Sequence, residues 1–142
     1  MGIDTVIDSA LAQLAVNQPN AGHRADVGGV RFDMEYATLV LSLGRNAGHS
    51  TWAVSALKRG EVLVVPKRGK ALELKLQLPD HASRIFGLKD WCEHRTFGEI
   101  LQKSRQIVFD EGQAIRQDLG SSLSAAYAIS SCANQFTYIF LG

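Results

Sequence analysis

Cysteine is nearly absent: only Cys92 and Cys132 occur, far apart and without a CxxC spacing. That argues against a disulfide framework or a paired-cysteine zinc pattern, and leaves two reduced, packed thiols as the expectation. An excess of charge is missing too. The formal net charge of +1 gives no bulk footprint for a nucleic acid and leaves only local basic clusters. There is no apolar run of membrane-spanning length, so no membrane partner is expected. Met1-Gly-Ile-Asp4 carries an acid where a signal peptide needs basic residues, which predicts a soluble, cytoplasmic protein. Proline occurs three times, and no stretch is repetitive or linker-like. What remains is a 142-residue chain that is 46% hydrophobic, enough for one domain with a real core.

The apolar pattern then divides the chain. Residues Thr5 to Val16 repeat apolar side chains at Val6, Ile7, Ala10, Leu11, Leu14 and Ala15, the spacing of an amphipathic helix. A loop is expected to Gly29, followed by a short strand from Val30 to Met34. Ala37 to Leu43 is nearly all apolar and predicts a central strand buried on both faces. Helices are expected over Ser50 to Lys58 and Lys70 to Leu78, with a buried strand, Glu61 to Pro66, between them. Arg84 to Gly87 reads as a short strand, and Thr96-Phe-Gly-Glu99 as a capping box opening a helix to about Ser104. A third long strand, Arg105 to Asp110, precedes one helix over Leu119 to Ala133 and a final strand, Phe136 to Leu141. This alternation predicts a three-layer α/β/α domain with a mostly parallel sheet and right-handed crossovers. Residues 1–36 form an N-terminal helix and loop, and 37–142 form the core.

Two segments carry chemistry. The first is the turn Gly44-Arg45-Asn46-Ala47-Gly48-His49-Ser50-Thr51 between the strand and the helix. Glycines let a backbone approach a phosphate closely, and the helix N-terminus adds partial positive charge. The second is Asp110-Glu111 at the C-terminal end of an apolar strand, where open α/β sheets bind ligands. Each also has a bland meaning, a ligand-free glycine turn and a solvated acidic turn. Their combination, in this order and interval, is more specific than either.

Over residues 37 to 142 the chain resembles the additional-strand, catalytic-glutamate branch of P-loop NTPases. Gly44-Arg-Asn-Ala-Gly-His-Ser is similar to the shortened loop of viral DNA-packaging terminases and related motors. The match covers Gly44, Arg45, Asn46, Gly48 and Ser50, whereas His49 stands where those proteins have lysine. The resemblance implies ATP and Mg2+ as cofactors: Gly44 to Thr51 around the phosphates, Ser50 and Asp110 on the metal, and Glu111 activating water. It implies a minimal P-loop domain in which strand 136–141 lies between the loop strand and the acidic strand. It also implies a phage origin and a homo-oligomer or viral protein partner, with nucleic acid a partner that the charge does not support.

Neutral imidazole has one donor and a stem shorter than lysine's, so His49 predicts weakened binding and hydrolysis unless Arg45, Lys67 or Arg68 supplies charge. Two functions follow. One is an ATP-binding protein with weak or partner-dependent hydrolysis. The other is a non-hydrolysing P-loop fold kept as a structural or regulatory protein-binding module. Cys92-Glu-His94 with His81 fits no standard zinc spacing. Trp52 and Trp91 are expected in the core, and Ser121 to Ser124 as a helix start rather than a nucleophile.

Overall fold

Within each long strand, alternate side chains go to opposite faces, and here both faces are apolar. The computed structural model describes residues 2–19, 21–44, 47–93, 100–133 and 135–142, with the side chains of Ala21, Ala25, Ile100, Leu101, Ile129, Cys132 and Ala133 left aside. Five strands are seen: β1 (Thr38–Leu41), β2 (Val62–Val65), β3 (Ile85–Gly87), β4 (Gln106–Asp110) and β5 (Thr137–Leu141). They form one sheet in the order β1-β5-β4-β2-β3, and every pairing is parallel. The terminal strand therefore lies between the loop strand and the acidic strand, as expected.

An all-parallel sheet needs cover on both faces. Val62, Val64, Ile107, Phe109, Tyr138 and Phe140 point to one side. There they pack with Trp91 of α6 (Leu88–Glu93), Ile115 of α8 (Gly112–Leu119) and residues of α3 (Gly29–Tyr36). Leu63, Val65, Val108, Ile139 and Leu141 point to the other. They meet Ile7 of α1 (Ile3–Asn17), Trp52, Ala53, Ala56 and Leu57 of α4 (His49–Lys58), and Ala71 and Leu74 of α5 (Arg68–Gln77). Phe109 and Phe140 stack at 4.3 Å between ring centroids across neighbouring strands. This is a three-layer α/β/α architecture, with both tryptophans in its core. Among the described residues, no helix is long and apolar enough to cross a membrane.

Three expectations are corrected. Val30 to Met34 is not a strand but part of α3, and the loop before it contains α2 (Ala21–Val27). The reason is a tertiary anchor that a local pattern cannot show: Asp33 is buried against Arg24 and Ser131. Ala37 to Leu43 is not a central strand. It supplies an edge, paired among the described residues only with β5, and Val40 is 47% exposed. The single helix over Leu119 to Ala133 is instead a 3₁₀ segment, Gly120–Ala126, followed by α9 (Ala128–Ala133). The backbone leaves helical geometry at Gly120 (φ 51°) and Ser122, and the carbonyl of Ala126 accepts the indole N–H of Trp91 at 2.8 Å. Of the helix expected after Thr96, α7 (Ile100–Lys103) is observed, and its capping box, Thr96 to Glu99, lies outside the described residues.

Candidate functional site

The site is built at the C-terminal ends of β1, β5 and β4. After β1 the chain turns through Gly48, whose backbone is left-handed (φ 88°, ψ 20°) and opens α4. Only glycine adopts that conformation without a Cβ penalty. The Gly48 carbonyl accepts the Trp52 N–H at 2.9 Å, closing the first helical turn. The earliest N–H groups of α4 have no partner within the helix and carry partial positive charge toward the turn. Trp52, Ala53, Ala56 and Leu57 hold the helix in the core, which fixes the direction of that N-terminus.

Asp110 ends β4 and is nearly buried, and Ser50 in the first turn of α4 donates to it. Ser50 Oγ is 3.0 Å from Oδ2 and 3.3 Å from Oδ1, a contact between residues sixty apart in sequence. Asp110 Oδ1 also accepts the Glu111 N–H at 3.0 Å. Glu111 has φ 56° and is the one non-glycine residue with positive φ among the described residues. That conformation costs a residue with a Cβ roughly 1–2 kcal/mol. The next position has to be glycine, because a Cβ on Gly112 would fall 2.7 Å from the backbone of Phe140 and Leu141. Gln113 N–H then donates to the Gly142 carbonyl at 2.8 Å, and Gly142 N–H to the Leu41 carbonyl at 2.9 Å. Backbone bonds thus tie the ends of three strands into a floor.

Beside a cleft of about 540 Å³ that holds Arg116 with Ser42, Gln113, Gln117 and Gly142, two more clefts open on this floor. One, of about 530 Å³, is lined by Ser42, Gly44, Ala47, Gly48, His49, Ser50, Thr51 and Gly142. The other, of about 420 Å³, is lined by His49, Ser50, Asp110, Glu111, Gln113, Ala114, Gln117 and Gly142. They share His49, Ser50 and Gly142, so they form one bent groove. His49 Nε2 accepts the Leu43 N–H at 3.1 Å. No lysine or arginine appears among the described residues lining either cleft.

The oxygen donors suit one kind of metal. Magnesium takes few protein ligands and keeps water and phosphate for the rest of its shell, and Ser50 Oγ with the Asp110 carboxylate offers such a partial set. A complete cage is not present: among the described residues no group of three or more His, Cys, Asp or Glu side chains is gathered.

The residues expected at the site are thus brought together over Gly44, Ala47 to Thr51, Asp110 and Glu111, while Arg45 and Asn46 lie outside the described residues. Of the expected substitute cations, Arg68 pairs with Asp90 at 3.6 Å, and Lys67 precedes α5 beyond β2. His81 contacts Arg84, whereas His94 lies outside the described residues. Ser42, Gln113 and Gln117 are lining residues that the sequence reading missed. The glutamines did leave a signal, two amides at helical i, i+4 spacing directly after the acids. No family model, curated protein or solved structure matches this chain.

Proposed function

We propose that this chain binds a nucleotide, ATP with Mg2+, in the bent groove and hydrolyses it weakly or only with a partner. The observation that carries the reading is the hydrogen bond from Ser50 to Asp110. It joins the first turn of a helix after a glycine loop to an acid at the end of a parallel strand, beside an open cleft. Gly44, Ala47, Gly48 and the first turn of α4 would cradle phosphates with backbone N–H groups. Ser50 and Asp110 would hold magnesium, which supplies charge neutralisation on the phosphates. Glu111 would orient and deprotonate water.

His49 weakens the electrostatics of this site. Its Nε2 is used to hold the Leu43 N–H, so that nitrogen is engaged with the backbone rather than with a phosphate, where a lysine would bring a long charged stem. That favours slow turnover, or a second copy or other protein partner that supplies the cation. It also favours the competing reading, a non-hydrolysing protein-binding module.

Calorimetry of ATP with and without magnesium, on wild type and His49→Lys, separates these readings. Magnesium-dependent binding by wild type is the expected outcome. Binding by His49→Lys alone would mean a site that has lost its ligand, and silence from both would leave a scaffold.

A further inference from the structure

We infer that Gln113 and Gln117 read the third phosphate of a nucleoside triphosphate and so select it over the diphosphate; this rests on the nucleotide reading above. The groove divides its labour by position. The cleft along the turn is lined by backbone-rich residues and the first turn of α4, which suits the two inner phosphates. The second cleft continues from it through His49, Ser50 and Gly142. A third phosphate extends into that second cleft.

There it meets Asp110 and Glu111, which present acceptor oxygens and negative charge. Phosphate oxygens need donors, and carboxylates have none when ionised. Gln113 and Gln117 each bring an amide NH2 with two donors. They are four residues apart on α8, on one face, with the small Ala114 beside them along this cleft and Arg116 beside them along the neighbouring one. Both side chains are exposed and available to a ligand. Their helix does not roll: Ile115 is buried on its other side, and the Gln113 N–H is bonded to the Gly142 carbonyl.

Because the amides are neutral, they add no general attraction for anions. Their contribution falls on the phosphate that reaches them, so it shows in the ratio of ATP to ADP affinity.

The test is calorimetry of Mg·ATP and Mg·ADP on the full chain, for wild type and the Gln113→Ala/Gln117→Ala double variant, with thermal midpoints beside them. Hydrogen bonds to a charged group support an expected wild-type preference for ATP of about tenfold or more, falling to about twofold or less in the double variant. ADP affinity and the thermal midpoint are expected to stay unchanged. A preference that survives the double substitution overturns the inference, as does an equal loss for both nucleotides. Wild type binding both nucleotides alike also removes the inference and leaves nucleotide binding standing. Wild type binding neither removes the nucleotide reading as well.

Discussion

Two aspartates in this molecule, Asp33 and Asp110, are both withdrawn from water but have different fates. Asp33 is 0% exposed and paired on both sides: Arg24 bonds both its oxygens, and Ser131 Oγ donates to Oδ2 at 2.6 Å. The surroundings extend the network. Tyr138 OH lies 2.6 Å from Ser130 Oγ and 3.2 Å from Ser131 Oγ, while Thr38 joins the Asp33 carbonyl to Tyr127. Burial pushes the Tyr127 phenol up to about 12 and Tyr138 further still, so both remain neutral donors at ordinary pH. Among the described residues, Asp110 has one hydroxyl and one backbone donor, and its cleft is open. A fully buried carboxylate bonded on both oxygens by a guanidinium and a hydroxyl locks elements together. One with lone pairs to spare, beside a groove, is available to a ligand.

Removing each carboxylate tests that distinction. Asp33→Ala leaves the Arg24 guanidinium, 20% exposed, without its partner and strips a donor's target from Ser131. Breaking a buried pair from one side costs about 3–5 kcal/mol, which denaturant unfolding would register as a large fall in midpoint. Asp110→Asn keeps an acceptor for Ser50 or the Glu111 N–H, so its expected stability change is within about 1 kcal/mol. Its effect belongs in binding: magnesium-dependent affinity for ATP is expected to vanish. Unchanged affinity in Asp110→Asn would remove its assigned role. A change below about 1 kcal/mol in Asp33→Ala would show that the network is not a lock.

The turn after Asp110 sharpens the contrast, because it contains both a forced fit and a strained one. Gly112→Ala places a methyl 2.7 Å from the β5 backbone, and overpacking of this kind costs about 1–3 kcal/mol. The displaced β5 end carries Gly142 with it, so nucleotide affinity should fall in parallel. Glu111→Gly goes the other way. It relieves a left-handed backbone and is expected to stabilise the fold by about 1 kcal/mol while abolishing any hydrolysis. A residue whose removal stabilises is not there for the fold. If Glu111→Gly instead lowers the thermal midpoint, the strain argument fails and the side chain has a structural partner.

The same contrast explains what the sequence made legible. The strands β2, β4 and β5 are apolar on both faces, so composition alone announces a doubly covered parallel sheet. Gly48, Ser50 and Asp110 were readable because a turn of fixed chemistry and a strand-terminal acid sit at fixed places in such a sheet. The Asp33 network was not readable, since its parts are contributed by residues as far apart as Arg24 and Ser131, whose letters suit any helix. The edge position of β1 was hidden for a related reason. Thr38 to Leu41 is as apolar as an interior strand, and only its neighbours reveal that nothing described pairs with its outer side. The αL backbone of Glu111 has no signature in composition at all.

A third carboxylate, Glu61, falls between the two aspartates and gives the smallest effect. It is half-buried, and its Oε1 accepts the Arg105 N–H at 3.0 Å. Burial raises its pKa above the ordinary 4.5 and outweighs that backbone bond and the nearby Arg59 and Arg105, which pull it down. The native state therefore holds this proton more tightly than the unfolded chain. Its contribution is fully present below pH 4.5 and is lost as pH rises through the raised native value. Glu61→Gln, which keeps an acceptor for Arg105 and cannot ionise, should gain on wild type as pH rises from about 4 to 7, by less than about 1 kcal/mol after solvent screening. Thermal midpoints of both proteins across that range measure the difference. An advantage that shrinks with pH would mean that Arg59 and Arg105 prevail over burial, and would move Glu61 from the costly side of the comparison to the paired side, beside Asp33.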